Sequence, residues 1–289
     1  MIHRVLLLLI IAYFPPVVLA DTWYPWRDRR VVSPNGEYYV VMKRIGGPKV
    51  HDAWGAVEYA IAKRVVNSPP VKAAESKYVS PDGSRVLYPK VDELGNELPF
   101  EIEPNPNVRV RKGDKTLGVG KLNRPPFAVL VSDEELGFAG LGVYGYNNYA
   151  DYDKTGHLLA KNPNDAVIIF SSRGKMLYRK TVVDLFSVEE LDTFDFSSGG
   201  LRWLNYHVPG WINEAKQQLV VVGCPSETKP NRYLIRFIDW KTGEVTKGPT
   251  LNSEDAVKKL RRKHLEANPK RNNPVTTSTQ RERKEDRNE

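Results

Sequence analysis

The chain has 289 residues, one cysteine, 40% hydrophobic and 27% charged residues and a formal charge of +8. That length is ample for one large or two small cores, and one cysteine excludes an intramolecular disulfide framework. The charge does not mark a nucleic-acid binder: residues 253–289 hold 11 basic and 7 acidic residues, and residues 21–252 hold 31 basic and 28 acidic, so much of the excess is a tail property.

Residues 1–20 read as a secretory signal peptide. Arg4 is a short positive region, Val5 to Phe14 an apolar one, Pro15-Pro16 ends it, and Val18-Leu19-Ala20 offers a cleavage site. A membrane anchor would need about 20 apolar residues without two prolines. The expected protein is secreted or periplasmic, has no transmembrane segment after cleavage, and depends on its core alone. The single Cys224 follows Val220-Val221-Val222-Gly223 and reads as a buried, inert thiol. The next segment, Asp21 to Arg30, is aromatic and basic and reads as an arm packing onto the domain, with a carbohydrate- or surface-binding patch as the sharper alternative.

From Val31 to Asn252 a round of four short strands recurs. The first round is Val31-Val32, Tyr38 to Met42, Ala56 to Ala62 and a weak Val65-Val66. The second is Tyr78-Val79, Arg85 to Pro89, Val108 to Arg111 and Thr116 to Lys121, interrupted by a Pro- and acid-rich insertion at Asp92 to Asn107. The third is Ala128 to Val131, Phe138 to Val143, Ala166 to Phe170 and Lys175 to Lys180. The fourth is Trp211-Ile212, Gln218 to Val222, Tyr233 to Asp239 and Glu244 to Lys247. The turns Lys112 to Lys115, Ser171 to Gly174 and Trp240 to Gly243 fit hairpins before each last strand.

The second strand is entered through Ser33-Pro34-Asn35-Gly36 in round one and Ser80-Pro81-Asp82-Gly83 in round two. Proline presets φ, Asn or Asp bonds its own backbone, and Gly takes positive φ. The tetrad erodes to Ser132-Asp133-Glu134-Glu135 and Asn213-Glu214-Ala215-Lys216 later. Four strands per roughly 40–50 residues is a β-propeller blade pattern. Ser33 to Val41 and Ser80 to Tyr88 resemble the WD40-like propeller repeat of TolB-type exported bacterial proteins; the later rounds match in pattern, not residues. The expected fold is all-β: a propeller-like array of about four four-stranded blades, with a β-sandwich or meander as the alternative. The resemblance implies a scaffold for partners.

A short helix is expected within Val182 to Phe194, capped by Ser187, and a stronger one over residues 253–267. Ser253 caps the latter, Glu254-Asp255 sit at its positive end and Lys258 to Lys263 load its negative end. It either docks on the body or stands free. Residues 268–289 form a basic tail with almost no apolar residue, expected to be disordered.

Candidate sites are few. Asp151, Asp153, Thr155 and Gly156 resemble the front of a calcium loop, but Asn162 stands where a bidentate Glu is wanted, so a polar connecting loop is the plainer reading and no metal is expected. Tyr144, Tyr146 and Tyr149 crowd that loop, and Trp203 and Trp211 crowd the one before round four. They form either a weak binding face or a cover over an open end of the sheets. No His-Glu-x-x-His, Gly-x-Ser-x-Gly or phosphate-cradling motif occurs, and Glu189, Glu190, Asp192 and Asp195 read as a solvated face. No catalytic residue or cofactor is assigned. The preferred function is an exported, non-enzymatic binding or scaffold protein meeting an envelope protein or polymer, not nucleic acid. The alternative is an exported polysaccharide-active hydrolase using acidic and aromatic residues of the rim loops, recognisable by two facing carboxylates, one with a raised pKa.

Overall fold

The computed structural model describes residues 27–45, 56–79, 101–103, 105–143, 165–197, 200–205, 207–223 and 232–267. Met1 to Ala20, Ser80 to Gly83, the calcium-like loop, Cys224 and residues 268–289 lie outside them. The described chain is mostly β, arranged as three antiparallel sheets of four or five strands and two small two-stranded ones, with no closed barrel.

The first sheet begins with β1 (Arg29–Val32), β2 (Tyr38–Arg44) and β3 (Val57–Lys63). In β2, Tyr38, Val40 and Met42 bury one face while Tyr39 and Val41 bury the other, so its apolar run is continuous rather than alternating. The strand beside β3 is not Val65-Val66. Val66 is 79% exposed, Asn67 takes a left-handed φ of 73°, and Pro69-Pro70 bring no N–H to a ladder, so the chain leaves the sheet there. Short strands β4 (Ala74–Glu75), β5 (Lys77–Val79) and β6 (Glu101–Glu103) follow; β4 pairs with β1 and β5 with β6. The chain returns as β7 (Lys115–Leu122), which pairs along β3 from Lys63↔Lys115 to Val57↔Leu122. The second round has Arg85 to Pro89 outside the described residues and Tyr78-Val79 paired with Glu101–Glu103. Its last strand completes the first sheet, and Val108 to Arg111 is a covering segment rather than a strand.

The other two sheets follow the expected order. The second is β8 (Pro126–Val131), β9 (Gly137–Val143), β10 (Val167–Ser171) and β11 (Met176–Lys180). Two short helices, α1 (Val182–Leu185) and α2 (Val188–Leu191), and a hairpin of β12 (Asp195–Ser197) and β13 (Gly200–Arg202) lead on. The third sheet is β14 (Gly210–Asn213), β15 (Gln218–Gly223), β16 (Tyr233–Asp239) and β17 (Val245–Leu251), with a 3-10 turn at Glu214–Lys216. The helix α3 (Glu254–Glu266) closes the described chain, its first turn capped by the Ser253 hydroxyl accepting the Ala256 N–H at 3.2 Å. No helix among the described residues is long and apolar enough to cross a membrane.

The sheets stack with the second in the middle. Its β8 touches β1 on one side and β14 on the other. Phe138, Ile168 and Phe170 face Val40, Tyr59 and Ile61 of the first sheet, with Phe138 and Phe170 stacked at 4.4 Å. Leu141, Val167 and Ile169 face Ile212, Leu219 and Val221 of the third. The two outer faces are covered differently. Val71 and Val108 lie on Tyr39 and Val41 of the first sheet, while Val257 of α3, with Leu260, packs against Trp211, Val220 and Ile235 of the third.

The strand-entry turns tie one sheet to the next. In Ser33-Pro34-Asn35-Gly36, the Gly36 N–H reaches the Ser33 carbonyl at 2.9 Å with φ of 74° at Gly36, and the Asn35 carbonyl oxygen accepts the Ser33 hydroxyl and the Glu37 N–H. The Asn35 N–H then donates to Asp133 of the second sheet at 2.7 Å. The Asp133 N–H in turn donates to Glu214 of the third at 2.7 Å. Farther out, Tyr59 donates to the Gly174 carbonyl, and Tyr178 to that of Lys241.

Candidate functional site

Residues within 69–73 and 105–112, on the outer face of the first sheet, wall a cleft of about 650 Å³ against β1 and β4. Pro69, Ala74 and Asn105 contribute, but its charge is one-sided. Arg30, Lys72, Arg109, Arg111 and Lys112 line it against a single carboxylate, Glu75. That carboxylate is itself paired with Arg27 at 3.1 Å. A smaller cavity of about 410 Å³ shares Arg109 and Val110's neighbourhood, and continues over β3 and β7 past Lys43, Glu58 and Lys121.

Arg30 is the inner residue of the cleft, only 7% exposed. It is held flat by donating from Nε to the Lys72 carbonyl at 2.6 Å and from Nη1 to the Arg109 carbonyl at 3.4 Å, with its guanidinium 5.9 Å from the centre of the Tyr39 ring. Burial lowers its pKa, and neighbouring Arg111 pushes the same way against Tyr39 and Asp114. Arg111 donates to the Pro69 carbonyl at 2.6 Å, and its Nε lies 3.8 Å from Asp114. Asp114 also accepts the Tyr39 hydroxyl at 2.7 Å and the Val65 N–H at 3.2 Å. Burial and then this bond to Asp114 raise the Tyr39 pKa to about 12, so the phenol is neutral. Asp114 thus pairs with Arg111, and no carboxylate of the described residues lies within 4.0 Å of the Arg30 guanidinium.

The aromatic residues singled out from the sequence lie elsewhere. Tyr144, Tyr146 and Tyr149 are outside the described residues. Trp203, 5% exposed, packs in the core between the second and third sheets, 5.9 Å from Phe186. Trp211, 2% exposed, lies under α3 and donates its indole N–H to Nδ1 of His264 at 3.1 Å. Both tryptophans cover sheet faces, and neither lines the cleft. Glu190 is a correction: it is not solvated but 8% exposed, ion-paired with buried Arg236 and with Lys247. Burial opposes its ionisation, yet these cations hold its pKa down to about 2.

One carboxylate does have a raised pKa. Glu214, 5% exposed, is pushed up to about 7, first by burial, with Asp133 and Glu134 adding to it against the bonds from Asp133 and Ser132. Its oxygens accept the Asp133 N–H and the Ser132 hydroxyl, and Asp133 accepts the Asn35 N–H. The pair is consumed in joining sheets. Among the described residues, no group of three or more His, Cys, Asp or Glu is placed to hold a metal ion.

The cleft residues were not apparent from the sequence because they come from three separate stretches, near positions 30, 72 and 110, which meet only in the fold. One signal was present: Arg109 and Arg111 alternate with Val108 and Val110, the pattern of a segment with one apolar and one basic side. No protein-family model matches the chain, and no curated protein or solved structure matches it.

Proposed function

We propose that the protein is an exported, non-enzymatic binding protein of β-propeller-like build, and that the cationic cleft is where it engages an acidic partner in the cell envelope. The observation that carries this reading is the cleft itself, five cationic side chains around one already-paired carboxylate. A body with a small net charge gains a strong local field this way. Support for the propeller-like build comes from the repeated contacts between sheets: inner strands side by side, an acid at each entry turn accepting from the sheet before, and a tyrosine bonding the next outer hairpin. On this reading the sheets are successive blades of an incomplete ring.

The hydrolase reading has one observation behind it, the raised pKa of Glu214 beside Asp133. Both carboxylates are buried and spend their oxygens on protein donors, whereas a glycosidase pair must flank an open sugar site. The binding reading requires no such opening.

The test compares retention of the purified protein on dextran sulfate and on neutral dextran, with a Lys72→Ala/Arg109→Ala/Lys112→Ala variant beside it. Salt-sensitive retention on dextran sulfate is expected, weakened at least tenfold in the triple variant. Retention that survives the triple variant and vanishes when residues 268–289 are removed would place binding in the tail and overturn the proposal.

A further inference from the structure

A buried charge is costly unless it is paired. Arg30 is 7% exposed, and no carboxylate of the described residues lies within 4.0 Å of its guanidinium. Its Nε and Nη1 are occupied by main-chain carbonyls, while Nη2 makes no hydrogen bond among the described residues. Its cationic neighbour Arg111 lies 3.8 Å from Asp114, whose oxygens also accept the Tyr39 hydroxyl and the Val65 N–H. Among the described residues the inner cleft therefore holds more positive charge than the carboxylates beside it offset, and main-chain carbonyls hold both guanidiniums in place.

Resting on the reading of the cleft as a binding site, we propose that its inner end is a seat for one dianionic phosphate, free or as a monoester, received by Arg30 and Arg111 and flanked by Lys72 and Arg109, with free sulfate as a dianionic analogue. A carboxylate offsets one charge of this excess, and a phosphate monoester carries about −1.5 to −2 at neutral pH. With Nε and Nη1 engaged on both arginines, each has Nη2 left to give the anion one charge-assisted hydrogen bond, and the cationic groups at the rim add field. The cleft of about 650 Å³ is far larger than a bare phosphate and leaves room for a sugar-sized polar body carrying the group. The adjoining cavity past Arg109, with Lys43 and Lys121, gives a longer ligand room to continue.

The experiment is calorimetric titration and thermal melting of the full protein with sodium phosphate, sodium sulfate, glucose 6-phosphate, sodium acetate and glucose, ionic strength held constant with sodium chloride. Phosphate, sulfate and glucose 6-phosphate are expected to bind and raise the melting temperature, and acetate and glucose to do neither. Tighter binding of glucose 6-phosphate than of phosphate identifies an esterified group as the natural ligand; equal binding identifies the free anion. Arg30→Met should weaken phosphate binding at least 50-fold. Because removing a buried arginine can impair folding, Lys72→Ala and Arg109→Ala at the rim serve as the second readout, each expected to weaken it several-fold. No phosphate effect beyond matched chloride, or an effect untouched by all three variants, overturns the seat. If dextran sulfate retention then still depends on the cleft rim, the binding function stands without the seat; if it does not, both fall.

Discussion

Asn35 carries as much of the architecture as any residue in the chain. Its side chain closes the entry turn by accepting from Ser33 and Glu37, and its amide nitrogen donates to the Asp133 carbonyl at 3.2 Å. Aspartate suits such turns equally well, and Asp82 stands at the same place in the matching tetrad of the sequence, but at position 35 it would set a second negative charge against Asp133. The turn was legible in the sequence because its chemistry is local; the reason for Asn over Asp was not, because Asp133 lies 98 residues away. Glu214 ends the same chain of contacts. Its folded-state pKa near 7 stands above the ordinary 4.5, so between those values the folded chain keeps a proton that the unfolded chain has released. The contribution is fully present below about pH 4.5 and is lost as pH rises through 7. Glu214→Gln keeps an acceptor for the Asp133 N–H and removes the titration. Thermal melts should show the variant equal to the parent at pH 4 and more stable at pH 8, by up to about 3 kcal/mol. A parent–variant difference that does not change with pH would show that Glu214 does not titrate between its two states.

At the scale of the element, the segment between β3 and β7 shows what alternation alone conceals. The period-2 pattern of Thr116 to Lys121 correctly announces a strand, and Leu117 does face the core while Val119 is 69% exposed. Nothing in that pattern names the partner. Pairing with β3 wins because the intervening residues carry prolines and close on the sheet's outer face through Val71 and Val108, leaving the edge of β3 free for β7. The helix α3 was legible in its caps and charges, since those are local, but its docking rests on a long-range contact. The neutral imidazole of His264 accepts from Trp211, and Phe237 lies 6.1 Å away. Burial holds its pKa below 6.5, and Lys216 and Lys263 add to the effect. The undocked helix therefore takes the proton more readily, so docking is fully supported above pH 6.5 and weakens as pH falls below it. Hydrogen exchange, corrected for intrinsic rates, should show residues 254–266 less protected at pH 5.5 than at 7.5. In His264→Ala the two profiles should coincide; a pH effect of equal size in that variant would move the switch to another group.

The described residues stack three large sheets, the middle one apolar on both faces, and the last strand of the second round completes the first sheet, whose outer face Val71 and Val108 cover. Each outer sheet has a free face that would continue the stack. The first is covered by Val71 and Val108, whose flanking residues also line the cationic cleft; the third is closed by α3. The covers differ in kind because they come from different places in the chain, one between strands and one after the last. The apolar positions of α3, Val257, Leu260 and Leu265, make a thin stripe that fits docking or standing free; docked, the helix hides Trp211, Val220, Val222, Tyr233 and Ile235, a contiguous apolar surface of the sort that drives association when exposed. The same surface on a twisted sheet is complementary to another copy of itself or of an equivalent sheet face, so its exposure favours self-association over simple unfolding. Removal of residues 253–289 should leave the first two sheets folded and shift the protein to dimers or larger species, measured by light scattering on a sizing column at a concentration where the full protein gives its normal mass. Removal of residues 268–289 alone keeps the helix and should leave the mass per particle that of the full protein. If the longer deletion runs at the same assembly state as the full protein and melts normally, then α3 is not the element that closes the stack.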